Sequence, residues 1–235
     1  MWGADKLSDL KILKRVAKQM KQAGKTWASI VWPQDFRSHN RWYSESRNSE
    51  LFRASWEAAM EVDADSVNIC TWNDYSEGSE IRPSTSIQYA FYDLAAFYIA
   101  WFKSGAMPAI TKDVLYYFHR IESTDAPKTG TAQPFRFSTG LVNGFTDPPQ
   151  NDIELLAFLT EPGEITIMTE KAANSLKAKA GITSFRTPLV PGRVSFHLNR
   201  ESRTVISLES AFEIRETSAY QDLLYHAGSS GRKPV

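Results

Sequence analysis

The fold class is decided by one stretch of the sequence, which reads Ser66-Val67-Asn68-Ile69-Cys70-Thr71-Trp72-Asn73-Asp74-Tyr75-Ser76-Glu77. Residues 66–72 are mostly apolar or β-branched and include neither Pro nor Gly, a pattern typical of a strand that is covered on both faces. A helical pattern at Leu51–Met60 precedes them, so the local order is helix, strand and acidic loop. This order predicts an α/β fold with the loop at the carboxyl end of a parallel strand.

The loop after this strand concentrates carboxylates and aromatic rings. It carries Asp74, Glu77 and Glu80, and the aromatic residues are Trp72 and Tyr75. Hydrolysis of a glycosidic bond uses two carboxyl groups, one protonated and one ionised, and aromatic rings suit the apolar faces of sugars. Asp74 and Glu77 are close enough in sequence for a turn to bring both to one side. The loop therefore predicts a site that cleaves sugars.

Other interpretations of the acidic loop stay open. Clustered acidic residues also form solvated surfaces or cap helices, and Glu80 is equally explained as a surface group or as a support for its neighbours. A Ca²⁺ site would use the same carboxylates, but the stretch lacks the alternating oxygen ligands and the fixed final Glu of an EF-hand loop. No metal site is predicted.

The segment that precedes this region repeats the order of helix and strand. Apolar residues recur at helical spacing from Lys6 to Gln22, and Thr26–Trp32 is predicted to be a strand that Pro33 ends. Asp35 and Arg37 then follow at the carboxyl end of that strand. We expect both side chains to face substrate, because parallel strands present their carboxyl ends at one edge of the sheet.

A third helix is predicted to begin at Pro83-Ser84-Thr85 and to end at Gly105. Beyond residue 105 the sequence pattern changes. Residues 121–134 are rich in Ser, Thr, Lys, Gly and Pro. After them the apolar period becomes two, which indicates short strands separated by turns and favours a β-sandwich. The predicted strands are Ile153–Leu159, Ile165–Met168, Val194–Leu198, Val205–Leu208 and Phe212–Ile214.

Composition excludes several classes of function. The sequence has 27 basic and 27 acidic residues and a formal net charge of zero, so no overall field attracts nucleic acid or an anionic membrane. The single Cys70 excludes an internal disulfide. No apolar run approaches the roughly 18 residues of a membrane span, and the first residues do not form a signal peptide. A neutral polysaccharide partner is compatible with this balance, and the oligomeric state stays open.

The sequence also carries no motif for a bound cofactor. It has no glycine-rich nucleotide-binding motif, no Walker A motif and no serine-hydrolase elbow. Its histidines are scattered without the spacing of a metal site, at His39, His119, His197 and His226. No cofactor is predicted.

The acidic loop resembles a known family motif. Trp72-Asn73-Asp74-Tyr75-Ser76-Glu77, followed by Ile81 and Pro83-Ser84, is similar to the W-N-D-[YFW]-[GS]-E motif of glycoside hydrolase family 71, the α-1,3-glucanases or mutanases. Trp32–Arg37 and the stretches 101–105 and 113–120 also resemble that family in order and spacing. The related family 99 endo-mannosidases carry W-N-E-W-x-E-G at the corresponding strand end.

The resemblance implies a role for each candidate residue. Asp74 and Glu77 correspond to the catalytic pair of the family motifs. The residues implied to bind or shape the site for substrate are Asp35, Arg37, Trp72, Asn73, Tyr75 and Glu80. The implied activity is endo-cleavage of α-1,3-glucan, and the resemblance favours an extracellular location.

The resemblance also implies a domain organisation. A (β/α)8 barrel needs about 250 residues, whereas this chain has room for only two barrel strands before its pattern changes. We therefore expect residues 1–122 to be the C-terminal part of a (β/α)8 catalytic barrel, 123–134 a linker, and 135–235 a β-sandwich accessory domain, with Met1 an internal or misassigned start. The alternative function is a non-catalytic carbohydrate-binding or structural fragment of such an enzyme.

Overall fold

The computed structural model describes residues 6–38, 42–130 and 147–235, which divide into two compact units. Unit 1 holds residues 6–38, 42–82, 92–108 and 147–150 of these ranges, and unit 2 holds 83–91, 109–130 and 151–235. Helices and strands both contribute, which confirms a mixed α/β structure. In the described ranges, no helix is long and apolar enough to cross a membrane.

Unit 1 is built around a pair of parallel strands. Helix α1 (Leu7–Gln22) leads into β1 (Ala28–Val31), and α2 (Glu50–Glu61) leads into β4 (Ser66–Ile69). The two strands pair in parallel from Ala28 opposite Ser66 to Val31 opposite Ile69. Between them lies a short antiparallel hairpin of β2 (Asp35–Arg37) and β3 (Trp42–Ser44). Most of α3 (Ala90–Ser104) also belongs to this unit.

Small apolar side chains hold the helices of unit 1 together. The buried cluster consists of Ala17, Ala59, Val62 and Ala64, and Trp27, Val67 and Phe102 pack against it. Ala17 of α1 and Ala59 of α2 have small side chains, which let these helices approach closely. Gly24 follows the end of α1 with a φ of +71°, a conformation that costs glycine little and therefore ends the helix where the sequence pattern predicts.

The predicted strand at residues 66–72 is shorter and less covered than expected. It ends at Ile69, and its side chains alternate between exposed and half-buried, whereas the apolar run predicted cover on both faces. Within the described residues the sheet has only two strands, β1 and β4. A parallel strand is covered on both faces only where other elements pack above and below the sheet, and a sheet this small offers them little surface.

Unit 2 contains two four-stranded antiparallel sheets. One has the order β12-β5-β6-β9 and the other β11-β10-β7-β8. The bounds of these strands are β5 Val114–His119, β6 Asp152–Leu159, β7 Gly163–Thr169, β8 Ala173–Ala178, β9 Gly181–Pro188, β10 Val194–Arg200, β11 Arg203–Glu209 and β12 His226–Ser229.

Both sheets contribute to one buried apolar cluster. Alternate residues of β5 and β6 meet alternate residues of β7 and β10, among them Leu155, Ile165 and Phe196, each with no exposed surface. The rings of Tyr117 and Phe196 stack with centroids 5.1 Å apart and planes 3° from parallel. The period of two in the sequence therefore turns one face of each strand towards this cluster.

The strand predictions for this region match in part. Four of the five predicted strands lie within β6, β7, β10 and β11, whereas Phe212–Ile214 forms only an isolated bridge between Ile214 and Gly192. The prediction missed β5, β8, β9 and β12. Strand β8 is exposed along nearly its whole length, so it carries no alternating apolar signal by which the sequence could reveal it.

The described part of the predicted linker belongs to unit 2. The Thr124 amide donates to Asn151 Oδ1 at 2.9 Å, and the Thr129 amide donates to the Ser218 carbonyl at 2.9 Å. Strand β5, which the domain prediction assigned to the barrel part, pairs with β6 in the same unit. These hydrogen bonds correct the boundary, since residues 109–130 group with the strands that follow. Residues 131–146, including the predicted start of the sandwich at 135, lie outside the described residues.

One ion pair of unit 2 makes its stability depend on pH. Asp113 accepts from Arg200 Nη1 at 2.5 Å and from the Thr160 amide at 2.8 Å. Hydrogen bonding to Arg200 lowers the pKa of Asp113 from 3.8 to about 2. A lowered pKa in the folded state stabilises the protein above the unfolded pKa, and this stabilisation is lost as the pH falls from about 4 to about 2.

We expect Asp113→Asn to lower the free energy of unfolding by about 1 kcal/mol at pH 7, the upper range for a pair near the surface. The difference from wild type should shrink towards pH 2, because the wild-type carboxylate is increasingly protonated there and loses its ion pair with Arg200. Urea unfolding followed by circular dichroism at pH 7 and pH 2.5 measures both values. If the difference in unfolding free energy is the same at both pH values, the Asp113–Arg200 ion pair does not cause the pH dependence.

Candidate active site

The paired parallel strands bring two chain segments to the same edge of unit 1. Val31 and Ile69 are partners at the ends of β1 and β4, and the Cys70 amide donates to the Val31 carbonyl at 2.9 Å. The segment that contains Asp35 and the acidic loop therefore start side by side. This is the position that the sequence predicted for both.

The acidic loop is closed at its base by backbone hydrogen bonds. The Thr71 amide donates to the Ser79 carbonyl at 2.8 Å, and the Ile81 and Arg82 amides donate to the carbonyls of Thr71 at 3.1 Å and Trp72 at 2.8 Å. Because the two ends of the loop are bonded to each other, residues 73–78 form a compact turn. The turn holds Asp74 and Glu77 in one short segment.

Within this turn Asp74 is half-buried and has local hydrogen bonds. Its amide donates to Thr71 Oγ1 at 3.0 Å, and Ser76 Oγ donates to Asp74 Oδ1 at 2.9 Å. The Asp74 carbonyl accepts from the Ser79 amide at 3.2 Å. The carboxylate is thus oriented by its own turn and retains access to solvent.

Glu77 is linked to the β2 strand by both its backbone and its side chain. The Phe36 amide donates to the Glu77 carbonyl at 2.8 Å. Arg37 Nη1 lies 2.7 Å from Glu77 Oε1, while Arg37 Nε and Nη2 donate to the two oxygens of Asp35 at 2.8 Å each. The structure therefore places Asp35, Arg37 and Glu77 in one ion-pair network.

Exposed aromatic side chains lie at the same loop. Trp72 is 51% exposed and Tyr75 50%, although both are large and apolar. Asn73 between them is also exposed. The Trp72 ring has its centroid 6.3 Å from that of Tyr92, which is 37% exposed on α3. Neighbouring exposed apolar side chains are a feature of ligand-binding surfaces.

Tyr92 is a candidate that the sequence prediction did not name. The apolar stripe of α3 contains Phe91, Leu94, Ala95 and Tyr98, and all four are buried. Tyr92 lies beside this stripe and not on it. A large aromatic residue outside the apolar face of a helix is expected to be exposed, and this position in the sequence could have identified it.

Two predicted substrate contacts are buried. Asp35 is 4% exposed and Glu80 5%, so neither offers much surface to a ligand. Glu45, which the prediction did not name, is also fully buried. Its oxygens accept from the Tyr43 hydroxyl, from the Arg47 amide at 2.6 Å and from the Gln150 amide at 3.1 Å. Buried carboxylates with such partners stabilise the local backbone.

The described ranges contain neither a cluster of metal ligands nor an activated thiol. There, no group of three or more His, Cys, Asp or Glu side chains is placed to hold a metal ion. Burial raises the pKa of the Cys70 thiol, and the negative charge of Glu77 raises it further. The thiol is therefore protonated at neutral pH and is a poor nucleophile.

Sequence comparison identifies the family. The family model described as glycosyl hydrolase family 71 matches residues 14–227. This chain therefore belongs to glycosyl hydrolase family 71, which confirms the resemblance drawn from the Trp72–Glu77 motif.

Two relatives with names are similar to most of the chain. The mutanase Pc12g07500 of Penicillium rubens is 25% identical over 227 residues, which cover 88% of this chain and 49% of the relative. The glucan endo-1,3-alpha-glucosidase agn1 of Schizosaccharomyces pombe is 25% identical over 224 residues, which cover 86% of this chain and 51% of the relative. The chain thus spans about half the length of these proteins.

Among solved structures, the GH99 endo-alpha-mannosidase from Bacteroides thetaiotaomicron is similar over 41% of this chain and 33% of its own, with a TM-score of 0.35 and 17% sequence identity.

Proposed function

We propose that this chain carries the catalytic carboxylates of a glycoside hydrolase that cleaves α-1,3-glucan within the polymer, and that these are Asp74 and Glu77. The observation that carries the proposal is their position in one closed turn at the carboxyl edge of β1 and β4. The names of the two relatives, a mutanase and a glucan endo-1,3-alpha-glucosidase, support the choice of linkage.

The proposed chemistry divides two tasks between these carboxyl groups. One group donates a proton to the glycosidic oxygen as the bond breaks, and the other assists attack at the sugar carbon, either directly or through water. Asp74 is held by Ser76, whereas Glu77 is held by Arg37. The two groups therefore have different electrostatic surroundings, which is how enzymes give two carboxyls different roles.

We also propose that unit 1 is part of a (β/α)8 barrel and that unit 2 is a β-sandwich. The support for the barrel is that β1 and β4 are parallel neighbours separated by one helix, the repeating element of that fold. In the described ranges each has a partner on one side only, and unpaired parallel edges favour further strands. The shared apolar cluster between two antiparallel sheets supports the sandwich.

The substrate test compares glucans that differ only in linkage. The full-length protein, meaning the whole product of the gene that encodes this chain, is incubated with α-1,3-glucan, α-1,4-glucan and β-1,3-glucan, and the reducing ends released are measured over time. We expect release from α-1,3-glucan, with early products of several lengths because the cleavage is internal. Equal release from the other two polymers would contradict the proposed linkage, and none from any would contradict the function.

A second candidate is a non-catalytic carbohydrate-binding or structural fragment. It is favoured by the presence of only two parallel strands in the described residues, since a cleft in a barrel needs walls from several strands. Sedimentation of this chain with insoluble α-1,3-glucan distinguishes the candidates. Binding without any release of reducing ends, by both this chain and the full-length protein, would favour the second.

The aromatic residues of the loop are proposed to bind sugar rings. Trp72→Ala in the full-length protein should raise KM for α-1,3-glucan by about 2–10-fold, since contacts of an aromatic ring contribute about 0.5–1.5 kcal/mol beyond area burial. The matched control is Tyr220→Ala, which removes a ring that is 62% exposed in unit 2. If both variants keep the wild-type KM, Trp72 does not contact substrate.

A further inference from the structure

We propose that Arg37, fixed by Asp35, is a positioning residue for Glu77. The inference rests on the proposed function, in which Glu77 is a catalytic carboxylate. It changes the roles of Asp35 and Arg37, which the sequence resemblance implied to be substrate contacts. In the present assignment neither has to touch the sugar.

The geometry of the guanidinium carries this inference. Arg37 has a planar group with several N–H donors in fixed directions. Two of its nitrogens, Nε and Nη2, each lie 2.8 Å from a separate oxygen of Asp35. A bidentate pair of this kind fixes both the position and the plane of the guanidinium. The remaining nitrogen, Nη1, is then directed to Glu77 Oε1 at 2.7 Å.

Because Asp35 is buried, it is a rigid anchor for Arg37. Its side chain is 4% exposed, whereas those of Arg37 and Glu77 are 24% and 23% exposed. The network therefore runs from the interior to a partly accessible carboxylate. The hydrogen bonds from Arg37 to Asp35 raise the pKa of Arg37 above its ordinary range, so the guanidinium is charged at neutral pH.

The local backbone explains why these residues meet. Asp35 and Arg37 are two apart on β2, so both side chains point to the same face of the strand. The residue between them, Phe36, donates its amide to the Glu77 carbonyl at 2.8 Å. One strand of three residues thus holds Glu77 by its main chain and by its side chain.

The consequence concerns the orientation of Glu77. Its contact with Arg37 Nη1 is a single one, but the guanidinium is itself fixed by Asp35, so Glu77 has less rotational freedom than it would have beside a flexible lysine. Catalysis depends strongly on such placement, because small displacements of a reacting group lower the rate by large factors.

The test uses Arg37→Gln, Arg37→Lys and Asp35→Asn in the full-length protein, with α-1,3-glucan as substrate. For Arg37→Gln we expect kcat to fall about 10–100-fold and KM to stay within about 2-fold. Arg37→Lys should restore only part of kcat, because it keeps the positive charge but lacks the planar guanidinium that pairs with both oxygens of Asp35. Asp35→Asn should lower kcat less than Arg37→Gln.

A double variant separates this inference from the proposed function. If Arg37 acts through Glu77, then Glu77→Gln combined with Arg37→Gln should be no slower than Glu77→Gln alone. Full activity of Glu77→Gln would contradict the proposed function itself. A different outcome would contradict the positioning role alone. If Glu77→Gln loses activity, but Arg37→Gln keeps the wild-type kcat and has an increased KM, then Arg37 binds substrate and does not position Glu77.

Folding of the variants is checked by circular dichroism and thermal unfolding. If Arg37→Gln does not fold, Arg37→Lys decides the question alone, because it retains a cation next to both carboxylates. A reduced kcat with the wild-type KM supports positioning. An increased KM with the wild-type kcat contradicts it.

Discussion

Replacing Glu77 by Gln, or Asp74 by Asn, is expected to lower the turnover of α-1,3-glucan by the full-length protein about 10²–10⁴-fold, the usual contribution of general acid or base catalysis. Each change keeps the volume of the side chain and removes its ionisable carboxyl group. The amide oxygen of Gln can still accept from Arg37, and that of Asn from Ser76, so the hydrogen bonds of the turn are retained. The loss should therefore appear in kcat and not in stability.

Two control variants define this result. Glu164→Gln removes a carboxyl group from the exposed surface of β7 and should leave kcat unchanged. Glu80→Gln alters the third carboxylate of the acidic loop and should have a milder effect than either catalytic variant. If Glu77→Gln or Asp74→Asn turns over glucan at nearly the wild-type rate, that residue has no part in the mechanism.

Phe196→Ala is expected to lower the stability of unit 2 by about 3–5 kcal/mol, the usual cost of emptying a buried aromatic site. Phe196 has no exposed surface and stacks against Tyr117 at 5.1 Å in the cluster that both sheets share. The strands around it cannot collapse to fill the space without breaking their registers, so the cavity should persist.

The measurement can be made selective for unit 2. All seven tryptophans precede residue 102 in the sequence, and none of the described residues of unit 2 is a tryptophan. Amide hydrogen exchange in β6 and β10 therefore reports on unit 2, while tryptophan fluorescence reports on unit 1. Tyr220→Ala, at a residue 62% exposed, is the matched control. A loss below about 1 kcal/mol in Phe196→Ala, well under the range for such changes, would show that the two sheets do not share a tightly packed core.

Much of this organisation could be predicted because it is local in sequence. The helical spacing of Leu51–Met60, the apolar run at residues 66–72 and the acidic loop after it are periodic or compositional signals. The sequence predicts an acidic loop after this strand, and in the structure the turn that holds Asp74 and Glu77 follows β4. The family resemblance came from the same short motif, and the match over residues 14–227 confirms it.

The remaining features depend on contacts between distant residues. The run Tyr116-Tyr117-Phe118 adjoins the helical region in sequence, yet it pairs with β6 and β12, because strand pairing is chosen by the sheet and not by the neighbouring residues. The Asp35–Arg37–Glu77 network needs the hairpin of β2 and the register of β1 with β4, neither of which composition reveals. The burial of Asp35 likewise depends on these long-range contacts, and the sequence pattern, which predicts a substrate contact, carries no signal for it.

The order in which the chain visits its two units has a consequence for protein engineering. Residues 83–91 belong to unit 2 although they lie between two segments of unit 1. In unit 2 the Ala227 amide donates to the Ser86 carbonyl at 3.0 Å, and the Val235 amide donates to Gln88 at 2.6 Å. A chimera with a relative therefore cannot exchange unit 2 through a single crossover near residue 122. Such a crossover would take residues 83–91 from one parent and residues 226–235, to which they are hydrogen-bonded, from the other. The two segments should therefore be transferred together.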